Sequence, residues 1–197
     1  MSAERRARAH RTTKETDVEV EIDLDGRGSG SISTGIGFLD HMLDAFSRHS
    51  RFDLMVRASG DLGVDAHHTV EDVALVLGQA INEALGNRNG IERFADAAVP
   101  MDDSLALVAI DCGGRGHAVI DIDFGPDAVG TLPASLLAHF LEVLARSASM
   151  NLHLKARGAD NHHIAEACFK ALARALRQAS RIDHTISTEV PSTKGVL

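Results

Sequence analysis

The chain has no tryptophan and no tyrosine, and only two cysteines in 197 residues. Without Trp or Tyr it lacks the usual platforms on which bases stack, and a net charge of −8 gives no attraction for a phosphate backbone, so no nucleic-acid partner is expected. Cys112 and Cys168 stand in neither a metal nor a redox spacing, and each lies in an apolar stretch, which makes them small buried hydrophobes. Long hydrophobic runs are missing too. The first residues are basic (Arg5, Arg6, Arg8, Arg11), but no apolar segment follows to form a signal peptide, and none approaches the length of a membrane span. The expectation is a cytoplasmic protein with no membrane contact. An apolar content of 44% is enough to fill one compact core without disulfides.

What is present is a phrase stated twice. Asp65-Ala66-His67-His68-Thr69-Val70-Glu71 and Asp160-Asn161-His162-His163-Ile164-Ala165-Glu166 both read D-x-H-H-x-x-E. Imidazole and carboxylate together form the donor set of a divalent first-row metal. His67 and Glu71 are one helical turn apart and share a face, while His68 is rotated by about 100°. A pair can therefore chelate one ion while the adjacent histidine turns toward another. The same holds for His162 and Glu166 with His163. Six ligands in two matched clusters point to two metals.

The repetition reaches beyond the phrase. A shift of 95 residues carries His67 onto His162, together with the apolar helices that follow. A shift of 98 carries Phe38-Leu39-Asp40-His41 onto Leu136-Leu137-Ala138-His139, so each half has a histidine at the same place in an amphipathic helix. A shift of 88 lays Ile22 to Gly28 on Ile110 to Gly116, and Glu15 on Asp103. The chain is a duplicated unit of about 90 residues, too few copies for a solenoid. We divide it at residues 1–95 and 96–197, as half-repeats of one compact unit, with the turn Gly86 to Gly90 at the seam. Each half reads strand, strand, helix, strand, helix. Val18, Val20, Ile22 and Leu24 alternate with acidic residues in a half-buried strand, and Gly26 to Gly30 turns into Ser31 to Thr34 as a hairpin, repeated by 105–111 and 118–124. Helices are expected near 38–49 and 133–149, strands at 52–58 and 151–157, then the metal-bearing helices. In the strand Met150 to Ala156 the apolar residues share one face, so His153 faces solvent. The expected fold class is α+β, internally duplicated, with helices packed on one face of each sheet.

These residues resemble the imidazoleglycerol-phosphate dehydratase family. The similarity is carried by Arg11-Thr12-Thr13-Lys14-Glu15-Thr16, Gly37-Phe38-Leu39-Asp40-His41-Met42-Leu43, both D-x-H-H-x-x-E phrases, Gly90-Ile91-Glu92-Arg93-Phe94 and the terminal Ser192-Thr193-Lys194-Gly195-Val196-Leu197. Ala95, Gly116 and Asp103 depart from the family pattern, at no proposed ligand. The resemblance implies a fold like the second domain of ribosomal protein S5. It implies two Mn(II) ions per active site, held by His41, His67, His68, Glu71, His139, His162, His163 and Glu166. It implies a phosphorylated imidazole substrate, bound by Glu15, His49, Arg93, Arg115, Ser192 and Lys194, and a homo-oligomer of 24 subunits built from trimers with metal sites where subunits meet.

The implied activity is a hydro-lyase of histidine biosynthesis, turning imidazole glycerol phosphate into imidazole acetol phosphate and water. The proton to be lost is not beside a carbonyl and is barely acidic. Two cations acting as Lewis acids would let the ring become a dimanganese-bound imidazolate that expels the neighbouring hydroxyl, after which a general base takes the next C–H proton. Glu15, His67, Glu71, His162 and Glu166 are the candidate catalytic residues, with Glu15 as proton carrier. Arg93 and Arg115 can hold phosphate oxygens bidentately, and Lys194 as a point charge. Three other classes come into question. A dinuclear carboxylate bundle would use Glu-x-x-His without interleaved strands, and a metal-stabilised structural protein would use all eight ligands to close its coordination shells. A metal-dependent hydrolase would turn over esters or amides without a preference for imidazoles.

Overall fold

The computed structural model describes residues 5–126, 128–185 and 189–195. The first half runs β1 Arg6–Thr12, β2 Thr16–Asp23, β3 Gly30–Ser33, α1 Gly37–Ser50, β4 Asp53–Gly60 and α2 His67–Leu85. The second repeats it as β5 Phe94–Met101, β6 Ser104–Asp111, β7 His117–Ile122, α3 Ala134–Ser147, β8 Asn151–Arg157 and α4 Asn161–Ala179. Two four-stranded sheets result, in the matching orders β1-β2-β4-β3 and β5-β6-β8-β7. The α+β class and its duplication are as expected.

Two features differ from expectation. Each half has an extra leading strand, β1 or β5. Their inward residues are mostly small, Ala7 and Ala9 in one and Ala95 and Ala97 in the other, and β5 holds Pro100, which an edge strand tolerates because its outer side needs no amide. The segment after Gly26 is also not a hairpin partner of β2. β3 pairs in parallel with β4, which inserts between β2 and β3, and β7 does the same with β8. The connecting loop instead wraps the Asp53 carboxylate, whose Oδ1 accepts from the amides of Arg27 at 2.9 Å and Ser29 at 2.8 Å. Those amides hold the Asp53 carboxyl below its usual pKa.

The helices gather between the sheets. α2 lies on β1 and β2, α1 on β3, α4 on β5 and β6, and α3 on β7. Across the halves, α1 packs on α4 and α2 on α3. The α2–α3 approach is close at Gly78, where a Cβ would stand 2.5 Å from that of Ser147. Alternation along β2 buries Val18, Val20 and Ile22, and along β6 it buries Ala106, Val108 and Ile110. Phe46 and Phe52 meet edge-on in one half, and Phe140 and Phe169 meet at a tilt of 36° in the other, all four fully enclosed. Cys112 and Cys168 are buried among them, and burial pushes both thiols up to about 12, so neither offers a thiolate. His153 is exposed on β8. Among the described residues, no helix is long and apolar enough to cross a membrane.

Candidate metal centres

The first Asp of each repeated phrase stands at the entry to its helix, Asp160 as the N-cap of α4 and Asp65 one residue before the N-cap Ala66 of α2. The Oδ1 atoms of Asp65 and Asp160 accept from the amides of His67 and His162, both at 2.7 Å, satisfying donors that have no partner in the first turn. With the start fixed, the spacing His-x-x-x-Glu projects His67 and Glu71 from α2, and His162 and Glu166 from α4, onto a single face each.

The inter-half packing supplies a third ligand to each pair. His41, on α1 of the first half, joins His162 and Glu166; His139, on α3 of the second half, joins His67 and Glu71. Within each trio the donor atoms lie within 4.8 Å of one another. Donors on one divalent ion stand about 3–4 Å apart, so closing on a cation needs only small side-chain shifts. Glu166 Oε1 is 3.0 Å from both His41 Nε2 and His162 Nε2, and Glu71 Oε1 is 3.2 Å from His139 Nε2. The His67 and His139 rings stack at 5.2 Å. Phe38 sits against His162, its ring 5.1 Å away.

His68 and His163 turn away from the trios of their own chain. His68 Nδ1 is 3.0 Å from Asp61 Oδ2, and His163 Nδ1 is 2.6 Å from Asp103 Oδ1; these contacts raise the pKa of each imidazole. Carboxylates on Nδ1 fix the tautomer and leave Nε2 for a cation, as is usual behind a metal-ligating histidine, and His163 Nε2 also has Asp102 Oδ2 at 3.6 Å. Burial disfavours the charge on Glu166, yet hydrogen bonds from Lys170, His41 and His162 outweigh it and hold the carboxyl down to about 2, ionised for a cation. Asp61 and Lys170 were not singled out in the sequence. Lys170 follows Glu166 by one turn, a legible spacing, whereas the Asp61 contact depends on the path of a loop.

The remaining candidates fall in three places. Glu15 lies in the β1–β2 turn with Oε2 3.8 Å from His68 Nδ1. His49 lines an open groove of about 570 Å³ with Asp96, Arg174, Arg177, Gln178 and Arg181, and burial plus the neighbouring cations lowers its pKa. Arg93, Arg115, Ser192 and Lys194 belong to the other end of the second sheet. Arg93 grips Asp111 through Nε at 2.7 Å and Nη2 at 3.1 Å, and donates from Nη1 to the Pro191 carbonyl at 2.7 Å, tying down the segment that carries Ser192 and Lys194. Arg115 is exposed on the turn after β6, beside Gly113, whose Cβ would fall 2.8 Å from Arg93 Nη2. Val196 and Leu197 of the terminal motif lie outside the described residues.

A sequence model of imidazoleglycerol-phosphate dehydratase matches residues 34–176. The chain belongs to the imidazoleglycerol-phosphate dehydratase family. It is 54% identical to the dehydratase of Methanoculleus marisnigri, over 98% of this chain and 100% of that one. It is 52% identical to that of Methanothermobacter thermautotrophicus, over the full length of both. Among solved dehydratases, that of Pyrococcus furiosus superposes with a TM-score of 0.81 at 40% identity, covering 95% of this chain and 99% of that one. The Staphylococcus aureus enzyme gives 0.82 at 32% identity, covering 90% and 99%. Both dehydratase structures share the doubled α+β architecture, and membership of the family makes the chain a dehydratase of histidine biosynthesis.

Proposed function

We propose that the chain removes water from imidazole glycerol phosphate at a centre built from the two trios, with one divalent cation in each. The observation that supports this is their matched composition: two imidazoles and one carboxylate apiece, on the faces where the halves meet. Three protein donors leave positions free on a six-coordinate ion, which suits catalysis better than a closed structural site. Bound cations, manganese by the family resemblance, would supply Lewis acidity toward the two nitrogens of the substrate ring.

The chain's own groups do the rest. Lys170 and the two histidines keep Glu166 ionised. Asp61 and Asp103 orient His68 and His163 with Nε2 outward, in our reading as further ligands for a cation held by the trio of a neighbouring copy. Glu15 presents an exposed carboxylate beside His68, suited to take the C–H proton once the hydroxyl on the next carbon has left. Arg115, Lys194, Ser192 and Arg93 would hold the phosphate.

Serving the His162 trio from this phosphate set requires more than one copy. β5 has Phe94 at one end and Met101 at the other, about 23 Å apart at the rise of a strand. Arg93 and its companions are at the Phe94 end, while Lys170 Nζ contacts Met101 Sδ beside the His162 trio at the other. The short chain between imidazole and phosphate cannot reach from one to the other. A homo-oligomer, 24 subunits built from trimers by resemblance, brings the phosphate set of one copy to the trio of another. Phe94, Leu105, Leu107 and Val119 expose apolar side chains on the outer face of the second sheet and suit such packing. The test is ketone formation from imidazole glycerol phosphate by metal-stripped protein before and after Mn(II) is restored. Activity that returns with metal supports the reading, and equal activity without metal overturns it.

A further inference from the structure

Glu15 and Asp103 are repeat partners, each in the first turn of its half, yet the two carboxylates are used differently. Asp103 performs two structural tasks. Its Oδ2 accepts from the amides of Ala159 at 2.6 Å and Asp160 at 3.0 Å, pinning the β5–β6 turn to the loop before α4, and its Oδ1 engages His163 Nδ1. Glu15 performs neither. Its side chain is 57% exposed and accepts no hydrogen bond from a described residue, with His68 Nδ1 at 3.8 Å.

The two tasks are nevertheless carried out in the first half, by two other acids. Asp61 takes His68 Nδ1 at 3.0 Å. Asp72, buried on α2 at 8% exposure, accepts from Arg11 Nε at 3.0 Å and from the Thr16 hydroxyl, so it clamps both ends of the β1–β2 turn onto the helix. Inside the clamp, Thr13 Oγ1 accepts from the amides of Glu15 and Thr16, both at 3.0 Å, which sets the backbone that carries Glu15. The second half has no acid at that position: the same shift that pairs His67 with His162 places Ala167 where Asp72 stands.

We propose that Asp61 and Asp72 are positioning residues that take over the structural duties of the turn carboxylate and so hold Glu15 free for proton transfer. The inference rests on the dehydratase reading above. Asp61 satisfies the imidazole that Glu15 would otherwise pair with. Asp72 fixes where the turn presents Glu15.

The test compares Asp72→Asn, Asp61→Asn and Thr16→Val, each alone and combined with Glu15→Gln, with Asp17→Asn as an exposed control. In Asp72→Asn and Thr16→Val kcat falls about 10- to 100-fold, the scale of a misplaced reacting group, while KM and bound Mn(II) stay within twofold of wild type; Asp61→Asn, which also loosens His68, is read at saturating Mn(II), where kcat falls likewise. Added to Glu15→Gln, Asp72→Asn and Thr16→Val each change kcat less than twofold, because there is no longer a carboxylate to position. A merely structural role would instead multiply the two losses. In metal-free protein, amide exchange at Glu15 and Thr16 accelerates at least tenfold in Asp72→Asn and Thr16→Val and not in Asp17→Asn. Should Asp72→Asn fail to fold, Thr16→Val, which removes one hydroxyl, decides for the clamp. Wild-type kcat in both Asp61→Asn and Thr16→Val, full multiplicative loss in the doubles, or unchanged exchange overturns the proposal. An inactive wild-type enzyme overturns the dehydratase reading instead, and the exchange comparison still decides whether Asp72 sets the turn.

Discussion

The two sheets share strand order and register but present opposite outer faces. On the first, β1 sets Arg6, Arg8 and His10 against Asp23, Glu21 and Glu19 of β2, and ion pairs run across the ladder: Arg6 with Asp23 at 2.8 Å, Arg8 with Glu19 and, at 3.4 Å, with Glu21, and His10 with Asp17 at 2.7 Å. On the second, the corresponding positions hold Phe94, Asp96 and Ala98 on β5 and Leu105, Leu107 and Ala109 on β6, with Val119 on β7, and ion pairs join β7 to β8, where Asp121 meets Arg157 at 2.8 Å and Lys155 at 3.7 Å. Inward residues are apolar in both. Duplication thus fixed what each sheet buries, while the outer faces diverged, toward charge on the first and, in our reading, toward contact with further copies on the second.

The largest effect should come from the metal trios, which both halves build together. His67→Ala or His162→Ala should each cost about half of the bound metal and abolish measurable dehydration, as read by metal analysis and product formation. Retention of full metal by either would break the equivalence of the two trios. Next, Leu107→Glu with Val119→Lys should convert the assembly to smaller species in sedimentation and remove activity with it, whereas Glu19→Gln with Glu21→Gln should leave mass and activity unchanged. If the first-sheet changes dissociate the assembly, the contrast between the faces is wrong. In the core, where the halves are alike, Phe46→Ala and Phe140→Ala should each lower stability by about 3–5 kcal/mol, measured by denaturant unfolding. Arg115→Ala should raise KM about 10- to 100-fold with kcat little changed, as for loss of a charged hydrogen bond of about 1.5–3 kcal/mol. The smallest effect should be Arg8→Ala, at most about 1 kcal/mol, because the pair is exposed and screened.

The reach of the sequence follows from which information is local. The D-x-H-H-x-x-E phrase contains its own geometry, since cap, face and chelate are all set within seven residues. His41 and His139 were legible only through the repeat, and which pair each would join depended on α1 meeting α4 and α2 meeting α3. The period-2 pattern of residues 18–24 announced a strand, but not that β4 rather than β3 would lie beside it. Nothing local marks neighbours in a sheet. β1 and β5 were missed because alanine on the inner side and arginine or proline elsewhere give a weak apolar signal. Asp61 and Asp72 escaped notice for a related reason: an acid that serves a distant turn looks, in one dimension, like any solvated charge.

The exchange of histidines between halves has a consequence for the protein's past. A lone ancestral half would own a helix with one imidazole and another with an imidazole and a carboxylate, but these sit on helices that pack against the opposite half rather than each other. Such a half could complete a trio only by pairing with its own twin. Severing the join between residues 85 and 94 should therefore return two fragments that lose cation affinity as monomers and regain it when mixed.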